Sequence, residues 1–408
     1  MKLLHIVGDS RFGGAGKIIL ALAQMAKAEG WEVDVLTTDP TFQAAVRKHG
    51  LGLLDLDVIR RPIRPLWDLA GLLRLRSVLK RESYRIVHTH TSKGGFVGRF
   101  AASMAGVPLI VHTMHGFAFH ERSSLSKRLF YSTLERIAAV RCDQIVSVSE
   151  FHRQWAIELG ICKRWKILTI PNGVGDHVAQ VAAPLTLRRQ LGLSDNHLML
   201  LTMARLAPEK GLDHLIQAAA LLRLAVPHCR LFIAGEGPDR LKLERLISDL
   251  DISDRVTLLG YRQDITELLA VSDIVVLPSL REGLSISLLE AMAASKPIIA
   301  SNIGSHHEVA SQGNIAKLVP PADVLALTNT ILELIRNPTM AADLGINARR
   351  LFELRYTEHR MVSAYRDLYC HLLQANARQQ SHTTWNNRSV MPKILNAPAS
   401  RPSRSDYR

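Results

Sequence analysis

The sequence predicts an α/β protein of two successive doubly wound parallel sheets, and three observations carry that prediction. Short continuous apolar runs alternate with longer amphipathic segments through the first half of the chain. The alternation halts after Pro171-Asn172-Gly173 and later restarts with a second set of runs. The chain is 408 residues long and 47% apolar, too long for one ordinary core and rich enough to pack two. Unbroken apolar runs suit strands covered on both faces, as in a parallel sheet flanked by helices.

In order along the chain, LLHIVG (residues 3–8) reads as a first buried strand, and residues 18–28 repeat apolar positions at helical spacing. EVDVLTT (32–38), RIVHTH (85–90), LIVHTMH (109–115), QIVSVS (144–149) and KILTI (166–170) follow as strands, with helical segments between most of them. Residues 175–195 hold no strand pattern and read as a linker with a short helix. LMLLTMA (198–204), CRLFIAGEG (229–237), RVTLLG (255–260), IVVLPS (274–279), PIIAS (297–301) and AKLVP (316–320) then supply a second sheet. The expected boundaries are 1–180 for the first domain and 190–356 for the second. A C-terminal helix, 357–376, is expected to complete the first domain. The polar, Pro/Ser/Arg-rich tail, 377–408, is expected to be disordered.

Composition narrows the function classes. Cys142, Cys162, Cys229 and Cys370 are scattered, with no Cys-x-x-Cys pair, which argues against a disulfide framework or a zinc site. The opening MKLLHIVGDSRFGG runs straight from a short apolar stretch into glycines, so it reads as a strand and loop, not as a signal peptide. No uninterrupted apolar stretch is long enough to span a bilayer, and a cytoplasmic location is expected. The net charge of +14 favours phosphate-rich partners. Much of it falls at Arg60, Arg61, Arg64, Arg74, Arg76, Lys80 and Arg81, then at Arg122, Lys127, Arg128, Arg136 and Arg141. These clusters read either as solvated helix faces or as a surface docking on an anionic inner membrane. Nucleic acid is not expected, because no helix-turn-helix, zinc-finger or aromatic RNA-binding signature is present.

Strand carboxyl ends are where such sheets bind ligands, and the chemistry-bearing residues cluster there. Gly13-Gly14-Ala15-Gly16 joins the first strand to the first helix, where glycine admits a ligand close to the backbone and free N–H groups suit an anion. It is neither Gly-x-Gly-x-x-Gly nor a P-loop, and taken alone it reads as a plain tight strand-to-helix turn. Arg205 and Lys210 follow the strand LMLLTMA, with Gly211 opening the next helix. Two cations there suit a diphosphate, although a surface Arg–Glu pair is the alternative. Glu282 lies in the loop after IVVLPS, and Glu290 lies about two turns into a helix begun by Ser285 or Ser287. A carboxylate beside that helix N-terminus can accept hydrogen bonds from sugar hydroxyls; a simple helix-dipole position is the other reading. His88 and His90 could be metal ligands, but no carboxylate or cysteine adjoins them in sequence, and a structural or acceptor-side role is expected. Asp55-Leu56-Asp57 reads as a strand end, and no essential metal or other cofactor is expected.

Taken together, these segments resemble the family 4 type of retaining glycosyltransferases with the GT-B fold, two Rossmann-like domains facing across a cleft. The family's Glu-x7-Glu stands here as Glu282 to Glu290, preceded by ARLAPEKG and AGEGP and followed by EAMAASKPIIAS. GGAG, HTHTSKGG, the His115-Gly116-Phe117 turn and PNGV match in the first half, so the resemblance spans residues 1–375. It implies that Arg205 and Lys210 hold the donor diphosphate and stabilise the departing nucleotide. It further implies that Glu282, with the backbone of Gly283, Leu284 and Ser285, grips the transferred sugar, and that Glu290 binds the ribose. Gly13 and Gly14 would approach the diphosphate from the opposite domain, His115 would lie near the sugar, and Gly235 and Arg262 would border the nucleotide. Arg205, Lys210, Glu282 and His115 are thus the candidate catalytic set. Three departures from the family stand out: Ser285 for proline or glycine, the His306-His307 pair for an apolar-proline pair, and Ala316 for glycine. None is expected to touch a charged contact, so they bear on sugar identity.

The resemblance implies a nucleotide diphosphate sugar donor, a UDP-sugar in preference to a GDP-sugar. The HTHTSKGGFVGRFAASMAGVPLIVHTMHGFAF stretch resembles enzymes of capsule, exopolysaccharide and lipid-linked oligosaccharide assembly. That implies a polyprenyl-diphosphate-linked glycan acceptor at the inner face of the cytoplasmic membrane. The competing expectations are a sugar-nucleotide 2-epimerase, which shares the fold, and a non-catalytic sugar-nucleotide-binding scaffold at the membrane.

Overall fold

The computed structural model describes residues 1–8, 12–60, 64–120, 123–176 and 185–381. Arg61 and Arg122 of the basic clusters, and the tail from 382 onward, lie outside the described residues. The first domain's strands are β1 (Lys2–Gly8), β2 (Glu32–Thr37), β3 (Gly52–Leu53), β4 (Ile86–Thr89), β5 (Leu109–Met114), β6 (Gln144–Ser147) and β7 (Ile167–Thr169). Its helices are α1 (Gly14–Ala28), α2 (Pro40–Lys48), α3 (Pro65–Glu82), α4 (Ser92–Ala105), α5 (Leu125–Ala139) and α6 (Glu150–Glu158). The second domain contains α7 (Leu185–Gln190), β8 (Leu198–Met203), α8 (Leu212–Ala225), β9 (Cys229–Ala234), α9 (Arg240–Asp249), β10 (Val256–Gly260) and α10 (Ile265–Val271). It continues with β11 (Ile274–Leu277), α11 (Ile286–Ala293), β12 (Ile298–Ser301), α12 (Gly304–Ala310), β13 (Lys317–Val319), α13 (Val324–Arg336) and α14 (Pro338–Arg355). A long helix, α15 (Glu358–Ser381), ends the described chain.

Both sheets are parallel and doubly wound, ordered β3-β2-β1-β4-β5-β6-β7 and β10-β9-β8-β11-β12-β13. Their central strands are buried on both faces, which is why they read as unbroken apolar runs. In each sheet the winding reverses between two neighbours, β1 and β4 in one, β8 and β11 in the other. At such a reversal the loops leaving the strand carboxyl ends diverge and open a crevice. The two crevices face each other, as contacts described below establish.

Two departures from the sequence reading concern boundaries. Helix α15 runs to Ser381, so residues 377–381, assigned from composition to the tail, are helical; their Ala, Arg and Gln are good helix formers although the segment as a whole is polar. Helix α7, left between the domains by the sequence, belongs to the second. Leu187 is buried in that core, and Arg188 donates to the carbonyls of Val271 and His197 at 2.8 and 2.6 Å.

The chain crosses between domains twice, at 172–174 and at 356–358, and the two crossings are tied together. Val174 N–H donates to Tyr356 O at 3.0 Å, and Glu358 N–H donates to Val174 O at 2.9 Å. Gly173 is obligatory here, because a Cβ would sit 2.3 Å from Thr357 O. Beyond the crossing, α15 lies against α1 and buries Met361, Tyr365, Leu368 and Tyr369 in the first domain's core.

A second link joins α6 to α12. The Glu308 carboxylate accepts from Glu150 N–H at 2.9 Å and Phe151 N–H at 2.7 Å, supplying acceptors to the first turn of α6 across the domain boundary. Burial pushes its carboxyl up from 4.5 to about 7, against the pull of those two hydrogen bonds. Glu308→Ala strips both donors of their partner and is expected to cost about 1–3 kcal/mol, read as a lowered melting temperature. A carboxyl raised on folding holds a proton that the unfolded chain has already released. The wild type should therefore lose stability as pH rises from about 4.5 to about 7, and the alanine variant should lack that slope. Parallel melting curves across this range would sink the assignment.

Candidate active site

The cleft is built from four strand ends. From the first domain, the residues after β1 lead to α1, whose N-cap is Gly13. Gly14 packs against the second domain: a Cβ there would lie 2.8 Å from Ile286 Cγ1, on the first turn of α11. One turn further along α1, Lys17 Nζ donates to Glu290 Oε1 at 2.6 Å. The bridge joins residues 273 positions apart, so it ties the domains directly across the cleft.

From the second domain, the turn after β8 carries Arg205, Glu209 and Lys210, and the loop after β11 carries Ser279 and Glu282. Lys210 Nζ donates to Glu282 Oε1 at 2.5 Å, and Ser279 Oγ donates to the same oxygen at 2.9 Å. Burial works to raise the Glu282 carboxyl, but the Lys210 charge and these hydrogen bonds outweigh it and hold the group below its ordinary range. Arg205 pairs with Glu209 through Nη2 alone. That carboxyl is also held low, burial being overcome by backbone hydrogen bonding and by the charges of Arg205 and Arg281. Lys17, Arg205 and Lys210 are thus each matched by a carboxylate.

Helix α11 begins at Ser285, whose side chain accepts from Leu288 N–H at 3.4 Å. Asn172, from the domain crossing, donates through Nδ2 to Leu284 O at 3.2 Å and fixes the entry to that helix. Opposite, the turn after β5 presses onto Gly283, where a Cβ would fall 1.8 Å from His115 O and 3.3 Å from Gly116 N. Gly116 itself has a φ of 143°, a backbone conformation that favours glycine. His115 Nε2 lies 3.1 Å from His90 Nδ1, and its Nδ1 is buried without a hydrogen-bond partner.

The structure therefore gathers Gly13, Gly14, His115, Lys210, Glu282, Gly283, Leu284, Ser285 and Glu290 around one cleft, with Arg205 at the end of the adjoining strand. Gly235 and Arg262 stand differently. Gly235 packs its backbone against the β8 turn, a Cβ being excluded by Ala204 O at 1.9 Å. The Arg262 guanidinium is clasped by Asp264 at 2.8 and 2.5 Å, and among the described residues no contact joins it to the cleft's charged groups. His306 corrects an expectation: it is buried beside Glu282 and Lys210 and interacts electrostatically with both, so this departure from the family does reach the charged pair. Its Nδ1 meets Ser301 O at 3.0 Å, and its Nε2 has no partner.

A third histidine, unforeseen from sequence, joins His88 and His90. His5 lies in register with His88 across β1 and β4, and the three offer ligand atoms within 4.8 Å of one another. All of their ring nitrogens except His5 Nε2 are engaged in hydrogen bonds. His88 meets Tyr369 OH at 2.5 Å and Thr113 Oγ1 at 2.7 Å, while His5 Nδ1 meets His90 Nε2 at 3.0 Å. Asp57 pairs with Arg60 just beyond β3, away from this cluster. Besides His5, sequence reasoning missed Lys17, Ser279 and the role of Asn172. Asn172 alone carried a signal, as part of PNGV.

Two doubly wound domains with facing switch points and a cluster of cations and carboxylates between them define the GT-B architecture. Residues 13–173 match the family model described as Glycosyl transferase 4-like domain, and residues 185–351 match Glycosyl transferases group 1. EpsD of Bacillus subtilis, a glycosyltransferase by name, is 30% identical over 87% of this chain and 93% of its own. The UDP-Gal:alpha-D-GlcNAc-diphosphoundecaprenol alpha-1,3-galactosyltransferase of Escherichia coli is 28% identical over 90% of this chain and 96% of its own. HepE of Anabaena, solved with UDP and glucose, superposes with a TM-score of 0.79 at 22% identity, covering 91% of this chain and all of that one (100%). The chain belongs to this glycosyltransferase family.

Proposed function

We propose that the protein transfers a hexose or N-acetylhexosamine from a UDP-sugar, with retention at the anomeric carbon, to a polyprenyl-diphosphate-linked glycan. The reaction would serve bacterial surface polysaccharide synthesis at the cytoplasmic face of the membrane, without an essential metal. The observation that carries this reading is the Lys210–Glu282 pair beside the α11 N-terminus, facing α1 across the cleft. A donor arriving there exchanges partners in a balanced way. Phosphate oxygens take Lys210 and Arg205, while sugar and ribose hydroxyls donate to the carboxylates of Glu282 and Glu290. In the step itself the acceptor oxygen bonds to the anomeric carbon as the bond to the β-phosphate oxygen breaks. The electron pair stays on that oxygen, which takes the acceptor's proton, and UDP leaves. Catalysis then lies in positioning and in stabilising charge on the leaving diphosphate by Lys210, Arg205 and the helix N-terminus. The name of the Escherichia coli relative supports the UDP-sugar and the diphosphoprenol acceptor.

The test incubates the protein with UDP- and GDP-sugars and a short-chain polyprenyl-diphosphate glycan in the presence of chelator, with products followed by mass spectrometry. A hexose or N-acetylhexosamine mass added to the lipid from a UDP donor is expected. Conversion of the donor without acceptor would make the protein an epimerase instead, and dependence on added metal would overturn the metal-free mechanism.

The outer surface of the first domain supports the membrane location. No described helix is long and apolar enough to cross a membrane. Yet Leu66, Leu69 and Leu73 on α3, and Leu125, Leu129, Phe130 and Ile137 on α5, are exposed. They share these helices with Arg74, Lys80, Lys127 and Arg136, and α4 packs against both. Apolar side chains among cations suit an anionic bilayer surface. The protein should float with vesicles containing phosphatidylglycerol and not with phosphatidylcholine alone, and Leu125→Glu with Leu129→Glu should abolish flotation. Equal binding to both vesicles would remove the electrostatic part of this reading.

A further inference from the structure

Three histidines form a chain that ends at His115, whose backbone carbonyl meets Gly283 across the cleft. His5 Nδ1 lies 3.0 Å from His90 Nε2, and His90 Nδ1 lies 3.1 Å from His115 Nε2. His5 and His90 are wholly buried. Burial holds His5 at about 3 and His115 at about 4, and it drives His90 well below the usual histidine range, so all three are neutral near pH 7. The free ends, His5 Nε2 and His115 Nδ1, are both buried and have no hydrogen-bond partner.

A neutral imidazole carries one N–H and one lone pair. Two ring-to-ring hydrogen bonds in series therefore allow only two arrangements. In one, each ring donates towards His5, leaving a lone pair on His115 Nδ1 and an N–H on His5 Nε2. In the other, each ring donates towards His115, leaving an N–H on His115 Nδ1 and a lone pair on His5 Nε2. Each arrangement makes the same bonds and leaves one bare donor and one bare acceptor, so hydrogen-bond count favours neither. A group meeting His115 Nδ1 chooses between them for the whole chain.

We propose that His5, His90 and His115 act as one tautomeric unit, in which His90 and His5 are positioning residues that set whether His115 offers the donor sugar an N–H or a lone pair. The sugar's presence at His115 rests on the function proposed above, but the coupling does not. Behind the chain, His88 is separately engaged by Tyr369 OH and Thr113 Oγ1, which leaves His5 and His90 to answer to His115 alone.

The test is 15N NMR of the protein labelled at histidine, with and without the UDP-sugar that turns over. In the ligand-free wild type, His5 and His115 should show matched tautomer populations. Saturating UDP-sugar should move His5, which does not touch the ligand, together with His115. His90→Phe should break the match even without ligand and lower kcat about tenfold with a smaller change in KM. His90→Gln, which restores one donor and one acceptor, should recover part of kcat. Calorimetry with UDP confirms that each variant still binds nucleotide. If UDP-sugar does not bind the wild type, the proposed function fails while the ligand-free comparison still decides the coupling. Unmatched tautomers in the ligand-free wild type, or a His90→Phe enzyme with wild-type kcat, would overturn the inference.

Discussion

Lys210→Ala is expected to lower kcat about 10³-fold, a loss of about 4 kcal/mol of transition-state stabilisation. In the proposed reaction the leaving diphosphate gains charge as the sugar bond breaks, and Lys210 is the cation paired with the Glu282 carboxylate, three residues before the N-cap of α11. A second effect accompanies the first. Glu282 is held below its ordinary range mainly against the pull of burial, so losing Lys210 strands a buried carboxylate and raises its affinity for a proton. Part of any loss could then be mere instability. Lys210→Ala combined with Glu282→Gln, set against Glu282→Gln alone, separates the two: the neutral amide removes the stranded charge, so melting temperature should recover, while kcat should fall well below that of Glu282→Gln alone. Steady-state rates and thermal melts on the three variants decide it. A Lys210→Ala variant with kcat within tenfold of wild type would show that the diphosphate is stabilised elsewhere.

What could be read in advance follows from the range of the interactions concerned. Strands such as β4, β5 and β11 are buried end to end, so their apolar runs announce both the element and the parallel sheet. The two residues of β3 are too few for any periodicity to mark them. Ser285 was legible as one of two serine helix starts, with Ser287, because its cap is local, closing on Leu288 N–H three residues on. Lys17 was not, because its partner Glu290 is distant in sequence and only domain packing unites them. The same holds for His5: one histidine in an apolar strand means little until register sets it opposite His88. Gly14 shows a motif read for one reason and used for another. Its missing side chain makes room for Ile286 of the other domain, in addition to whatever approach it allows a ligand.

The close fit of the domains makes Gly283→Ala the most informative substitution after Lys210. Gly283 follows Glu282 and precedes the N-cap of α11, so its backbone leads the sugar-side loop into the helix. Across the cleft, His115 O would lie 1.8 Å from an added Cβ, and its carbonyl carbon 2.7 Å. Both are backbone atoms, so no side-chain rotation relieves the clash; the His115-Gly116 turn or the Glu282 loop must move by an ångström or more. Displacement on that scale between reacting groups costs about 10²-fold in rate. The domains' cores do not include this contact, so the melting temperature should change little while kcat falls about 10²-fold. UDP affinity should hold within a few fold, because Arg205 and Lys210, the proposed diphosphate ligands, belong to the second domain alone. A variant with normal kcat would mean that catalysis occurs in a more open arrangement, with His115 and Gly283 apart; a variant that fails to bind UDP would mean that Gly283 supports the nucleotide site itself.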